Sequence, residues 1–394
     1  MADKKFLFTK GPYIRRADFN KLNTNTMMAD VVIALLPLMI FAWIKNGIVP
    51  LCNHIAGANF WAMIHPLASI LIGGASAYLF EALFYLFFIK TEKINGKEEK
   101  IKPFKKAFES YSIIPGLMLA MILPVNTPIW VLLLGTLFAI WVGKMIFGGL
   151  GYNLFNPALV GYIFVMTAFY GVITKNGGYL NLMETINVTS GATPLADFKN
   201  VLAGTQTLEE VINEHGGSLW KFFLGIRSGS LAETSGLLCF VAYIYLSIKQ
   251  AIDWKVPIAF VSTVFILSYI VGTFTGYSSN LNFALFNVLN GGVLFAGVFM
   301  VTEPVTNPRN NFARIIYAIF IGLLTIMLRF LSDMPEGAST AILFMNMFTP
   351  LIDLSCAKLR VEESIKKKII GYGIYILIAL AIICYIVLKL VIKN

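Results

Sequence analysis

The chain has 394 residues, 57% hydrophobic and 13% charged, with a mean hydropathy of +0.75 and a formal net charge of +10. Soluble domains are roughly 45–50% apolar and about 25% charged, so no water-soluble fold could hide this much apolar surface. The positive charge does not point to nucleic acid, because the lysines flank apolar runs, where basic residues orient membrane helices.

Met1–Asn25 is polar and basic, without a short apolar core and cleavage site, and reads as a cytoplasmic segment rather than a signal peptide. A bilayer core about 30 Å thick needs roughly 20 apolar residues per helix. Stretches of that kind follow at 26–44, 66–89, 110–125, 128–147, 157–173, 234–248, 256–274, 282–300, 312–330, 337–356 and 369–391. The expected fold is therefore an all-α integral membrane protein of about ten or eleven transmembrane helices. Its parts are the N-terminal segment 1–25, a transmembrane core over 26–356, and a Lys-rich turn with a further helix over 357–394.

Basic residues mark cytoplasmic loops. Lys4 to Lys21, Lys90 to Lys106, Arg309 with Arg314, and Lys358 to Lys368 all fall on one side when the spans alternate. The longest connection, 174–233, then falls on the outer face. Within the core, Pro124-Val125-Asn126-Thr127-Pro128 resembles Pro304-Val305-Thr306-Asn307-Pro308, and each string is followed by a helix and a Gly-containing break. Repetition of turn and break in the same order predicts an internal duplication. Transport proteins build sites where such repeats meet.

Ionisable residues are costly inside a membrane and mark ion pathways. Glu81 lies deepest by count, Glu303 stands where the first repeat has Leu123, and Asp353 closes the Pro350-Leu351-Ile352-Asp353 string. These three are the candidates for ion coupling. Cys52, Cys239, Cys356 and Cys384 are scattered, which leaves no cluster or zinc site held by this chain alone. Any redox cofactor must then be organic.

The outer connection contains Ser190-Gly191-Ala192-Thr193-Pro194-Leu195, a small, hydroxyl-bearing stretch that a modifying enzyme can grip. Read with GGLGYNLFNPALVG (148–161), GSLAETS (229–235), FMVTEPVTNP (299–308), PEGASTAILFMN (335–346) and PLID (350–353), it resembles a known family. That family holds the D subunits of Rnf ion-translocating complexes and the B subunits of Na⁺-translocating NADH:quinone oxidoreductases. The resemblance spans most of 26–356, and the extra helix at 369–391 departs from it.

The resemblance implies FMN joined through its phosphate to Thr193 by a flavin transferase, with Ser190, Gly191, Ala192, Pro194 and Leu195 forming the attachment motif. Where the family pattern has Asp, this chain has Asn187. It also implies partner subunits carrying iron–sulfur clusters and FMN, residence in the bacterial inner membrane, and, in the B-type relative, a non-covalent riboflavin for which no motif here marks a site. The short N-terminus and the SGATPLA, PEGAS and LFMN strings favour the Rnf-type subunit, a component of a ferredoxin:NAD⁺ oxidoreductase that moves Na⁺ or H⁺. The quinone-reductase subunit is the alternative within the family, and a flavin-free solute channel or transporter is the alternative outside it.

Overall fold

The computed structural model describes residues 24–52, 59–89, 91–94, 97–175, 179–180, 190–191, 194–215, 217–226, 229–231, 235–275, 280–332 and 337–393. Most of the predicted 1–25 segment lies outside these.

The first half contains α1 (Thr24–Cys52) and α2 (Phe60–Phe88), then a short hairpin of β1 (Thr91–Ile94) and β2 (Lys97–Lys100), and α3 (Pro103–Glu109). It continues with α4 (Ile113–Ile122), α5 (Ile129–Met145), α6 (Pro157–Ala168) and α7 (Tyr170–Lys175). The connection between the halves supplies β3 (Tyr179–Leu180), paired with β4 (Ser190–Gly191), and three short helices, α8 (Pro194–Leu202), α9 (Leu208–Glu214) and α10 (Leu219–Leu224). The second half is α11 (Gly236–Ile248), α12 (Lys255–Thr275), α13 (Asn280–Leu289), α14 (Val293–Met300), α15 (Asn311–Leu331) and α16 (Gly337–Val361), followed by α17 (Ile365–Lys393).

This is an all-α integral membrane fold, but the expected ten or eleven full spans are corrected. Among the described residues six helices are long and apolar enough to cross a bilayer, or seven if α13 and α14, bent by 62°, count as one. The spans expected at 110–125, 128–147, 157–173 and 234–248 are the shorter helices α4, α5, α6 and α11. Their apolar runs continue through Leu123 and Pro124 or into Phe169, so hydropathy does not register the break; Pro124 and Pro128, lacking an amide hydrogen, help to make it.

Packing recurs in the same order in the two halves. α2 lies against α4 and α5, as α12 lies against α13 and α15, and α5 pairs with α6 as α15 pairs with α16. Across the halves the corresponding elements meet: α1 touches α11 and α6 touches α16. Small residues let the backbones close up, the usual basis of helix association in lipid. A Cβ added at Gly116 of α4 would stand 2.2 Å from the Gly73 carbonyl oxygen of α2, so a larger residue there must part the helices. Lys144, at the C-terminal end of α5, and Glu303, in the turn leading to α15, line the same cleft. The corresponding helices of the two halves therefore run in opposite directions.

α15, at 21 residues, is about 30 Å long and spans the bilayer core. Arg309 and Arg314 lie at its N-terminal end, and Arg329 and Phe330 lie near its C-terminal end. The short helix α8 docks at that far end. Phe198 of α8 is 1% exposed and packs against Phe283 and Phe286 of α13 and Phe330 of α15, at centroid distances of 5.3, 5.3 and 5.8 Å.

Candidate functional site

A few polar residues of the membrane core, Lys144, Asn153, Asn156 and Glu303 among them, meet at the cleft between the halves. Its walls are Met27 and Met28 of α1, Met118 of α4, Lys144 of α5, and Phe299 and Glu303 at the end of the bent helix; Asn153 and Asn156 face it from the Gly-rich break. Its empty volume is about 800 Å³ with the open mouth included. The break can fold into this corner because Gly148, Gly149 and Gly151 take positive φ, which L side chains rarely adopt. Asn156 then caps α6 by accepting from the Leu159 amide at 3.3 Å, so the positive end of that helix dipole faces the cleft.

Behind this wall sits a buried ion pair. The Lys144 ammonium donates to Glu81 Oε2 at 2.7 Å and to the Ser110 carbonyl at 3.0 Å, and the Ser112 hydroxyl also donates to Glu81 Oε2. The two charged side chains are 3% and 0% exposed. A buried charge is tolerated only when paired and hydrogen-bonded, and here three elements, α2, α4 and α5, are tied together by one such network. Glu81 Oε1 has no hydrogen-bond partner among the described residues.

Glu303 accepts from the Asn153 amide at 3.0 Å and from the Thr306 hydroxyl at 3.2 Å, so its carboxylate joins the two halves. Of the three carboxylates singled out in the sequence, Glu303 lines the cleft, and Glu81 lies behind its wall, paired with Lys144, which lines it. Asp353 is elsewhere. It accepts from the Asn310 backbone amide at 3.0 Å, at the N-terminus of α15, where a carboxylate stabilises the helix dipole.

Residues that sequence reasoning left out of the site are Lys144, Asn153, Ser112 and Arg329. Asn153, like Asn156, was visible in the string GYNLFNP but served there only as a mark of resemblance. Arg329, 2% exposed, donates from Nη1 to the Asn287 carbonyl at 2.5 Å and from Nη2 to the Asn290 carbonyl at 3.2 Å, closing the C-terminal end of α13. The chain turns there on Gly291 and Gly292, both with positive φ. A Cβ at Gly291 would strike Arg329 Nη2 at 2.3 Å and Leu195 Cδ2 at 2.8 Å.

The attachment motif is described in part. Ser190 and Gly191 form strand β4, not an open loop, and Pro194 and Leu195 begin α8. Ala192 and Thr193 lie outside the described residues. Leu195 is 3% exposed and sits against the Gly291 turn. The His215 ring is hydrogen-bonded to Asp197 at 2.7 Å, tying α8 to the end of α9.

Two inverted halves of membrane helices, with a largely apolar cleft between them that carries a few polar groups, and a docked segment of short helices at one end, define a polytopic membrane protein of the transport type. The family model for the NQR2, RnfD, RnfE family matches residues 8–362, and the chain belongs to that family. It is similar to the D subunit of the proton-translocating ferredoxin:NAD(+) oxidoreductase complex of Clostridium ljungdahlii, at 32% identity over 352 residues, 89% of this chain and 95% of that one. It is similar also to the D subunit of the Na(+)-translocating ferredoxin:NAD(+) oxidoreductase complex of Acetobacterium woodii, at 30% over 355 residues, 90% and 94% of the two chains. A third relative is the D subunit of the ion-translocating oxidoreductase complex of Stutzerimonas stutzeri, at 30% over 273 residues, 65% of this chain and 76% of that one. Helix α17 begins beyond the matched range.

Proposed function

We propose that this chain is the D-type membrane subunit of an ion-translocating ferredoxin:NAD⁺ oxidoreductase, carrying FMN on Thr193 and working with subunits that hold the iron–sulfur clusters and the nucleotide site. The observation that carries the reading is the anchorage of α8. The residues after Thr193 are pinned by Leu195 and Phe198 to the ends of α13 and α15, at the opposite end of the bundle from Arg309, Arg314 and Arg360. Basic ends face the cytoplasm, so the attachment motif faces outward across the bacterial inner membrane.

A flavin supplies one- and two-electron transfer, and the protein supplies its position and surroundings. Leu195 and Phe198 hold the attachment segment against the membrane domain, so a tethered ring stays within a fixed reach of partner subunits. A second, non-covalent flavin such as riboflavin suits the cleft between the halves. Met27, Met118 and Phe299 offer apolar faces to a flat ring, and Asn153 offers a polar contact for its edge.

Ion movement is assigned to the inner half of the domain. Glu303 faces the cleft, and one Glu81 carboxylate oxygen has no hydrogen bond among the described residues. Asp353, engaged with α15, positions that helix. The relatives are named for H⁺ in one organism and Na⁺ in another, and a carboxylate serves either ion.

A Thr193→Val change in the assembled complex tests the reading. Valine matches threonine in shape but has no hydroxyl to esterify. The complex is expected to assemble in normal amount and to lose ferredoxin-driven NAD⁺ reduction almost to background. Undiminished turnover in membranes containing the variant as the sole copy would overturn the proposal.

A further inference from the structure

Away from the cleft, three metal-ligating side chains meet in the segment that joins the halves. Asp197 of α8 and Glu214 and His215 at the end of α9 bring two carboxylate oxygens and a ring nitrogen within 4.8 Å of one another. Asp197 Oδ2 lies 2.7 Å from His215 Nε2. Among the described residues no other group of three or more His, Cys, Asp and Glu side chains converges in this way.

A helical hairpin holds the three in place. α8 and α9 pack on one another. The turn between them is closed by the Thr205 hydroxyl, which donates to the Asn200 carbonyl at 3.0 Å, and by the Asn200 side-chain amide, which donates to Gln206 Oε1 at 3.2 Å. Thr207 and Glu210 cap the start of α9 reciprocally, and Leu208, Val211 and Ile212 bury one of its faces. His215 closes the other end of α9 and is 5% exposed, whereas Asp197 is partly exposed and Glu214 fully so. The ring is thus fixed inside the hairpin while the two carboxylates border water, the side from which an ion enters.

Two carboxylates this close repel, and one imidazolium answers only one of the two charges. A divalent cation answers both and leaves the imidazole neutral, the form in which it ligates. Bonds of about 2.0–2.2 Å to a tetrahedral ion set ligand atoms roughly 3.3–3.6 Å apart. The hydrogen bond between Asp197 and His215 opens to that separation, and rotation of the Glu214 side chain closes the wider gap. Imidazole mixed with carboxylate suits zinc and neighbouring transition metals, whereas Mg²⁺ and Ca²⁺ favour oxygen ligands alone.

We propose that Asp197, Glu214 and His215 bind one divalent transition-metal ion of the zinc class, with a fourth position left to water. The ion ties α8 to the end of α9. Asp197 stands four positions after Thr193 and one before Phe198, so the metal stiffens the stretch by which the attachment motif is docked. The site is made by these three residues alone and stands whether or not Thr193 carries FMN.

The test uses the full chain without an affinity tag, purified in mild detergent, with the exposed Cys52 and Cys384 alkylated. The protein is freed of metal with a chelator and titrated with zinc chloride in a calorimeter. One Zn²⁺ per chain is expected. Glu214→Gln is the decisive variant, because this exposed side chain takes no part in the Asp197–His215 hydrogen bond and its change leaves the hairpin folded. Its zinc affinity should fall by about 100-fold, since loss of a residue that merely supports a metal ligand already costs about 10–100-fold. His215→Gln should lose as much. Glu209→Gln, a control in the first turn of α9, removes the same charge and should bind as the parent does. Zinc should also slow tryptic cleavage at Lys199 several-fold in the parent and not in Glu214→Gln. A parent that takes up no zinc, equal affinity in Glu214→Gln, equal loss in Glu209→Gln, or displacement of zinc by equimolar Mg²⁺ would each overturn the proposal and leave Asp197 and His215 as a hydrogen-bonded pair only.

Discussion

Replacing Lys144 by Met is expected to destabilise the membrane domain by about 3–5 kcal/mol, the cost of leaving one member of a buried ion pair without the other. The stranded group would be Glu81, whose side chain is fully buried and whose Oε2 receives both the Lys144 ammonium and the Ser112 hydroxyl. Removal of the cation leaves the Ser112 bond and no counter-charge. A second change, Glu81→Leu in the Lys144→Met background, should recover most of the loss, because a buried ion pair exchanged for apolar residues of similar volume is often neutral or stabilising. Thermal unfolding of the purified chain in detergent, followed by size-exclusion chromatography after heating, gives all four corners of the cycle. A single Lys144→Met variant as stable as the parent would show that the pair does not tie α2, α4 and α5 together.

Phe198→Ala is expected to act differently, because the loss is local. Phe198 fills an aromatic pocket formed by Phe283, Phe286 and Phe330, and emptying such a site costs about 3–5 kcal/mol. The short helix α8 is held besides by Leu195 against the Gly291 turn, by Asp197 against His215, and by the buried Val201 and Leu202. The membrane helices should keep their melting temperature while α8 is released. Trypsin should then cut at Lys199 much faster than in the parent, and flavin attachment at Thr193 should fall with it. Unchanged protease resistance would mean that α8 is held by something other than this cluster.

Much of this architecture is legible in the chain because hydropathy and turn chemistry are local. The eleven apolar runs each contain helix, and the two Pro-Val-x-x-Pro strings, Pro124 to Pro128 and Pro304 to Pro308, each precede a helix at equivalent places in the two halves. The ends of α4 and α6 were not legible, since the residues beyond them, Leu123 and Phe169, are themselves apolar and a hydropathy window passes over them. The inverted relation of the halves depends on the direction of every intervening helix. It emerges only when Lys144 and Glu303 are found in one cleft.

The site was legible by residue type and not by partnership. Glu81 stood out as a charge within an apolar run, yet its partner Lys144 is 63 positions away and nothing local pairs them. Asp353 stood out for the same reason, and the structure shows it bonded to the amide at Asn310, a link made by packing of α16 on α15. Arg329 looks in sequence like a helix-end cation reaching for water. It is instead buried against carbonyls at the end of α13, a partner 42 residues away in sequence. The attachment motif was legible only through its resemblance, because four small residues carry little pattern of their own.

The most direct measurement is the mass of the tryptic peptide 176–199, released from the chain produced in a host that has the flavin transferase. The proposal predicts a peptide heavier by FMN less one water, with fragment ions placing the addition on Thr193 and the yellow fluorescence of flavin in the same fraction. An unmodified peptide as the only form, from a complex that still reduces NAD⁺ with ferredoxin, would contradict it.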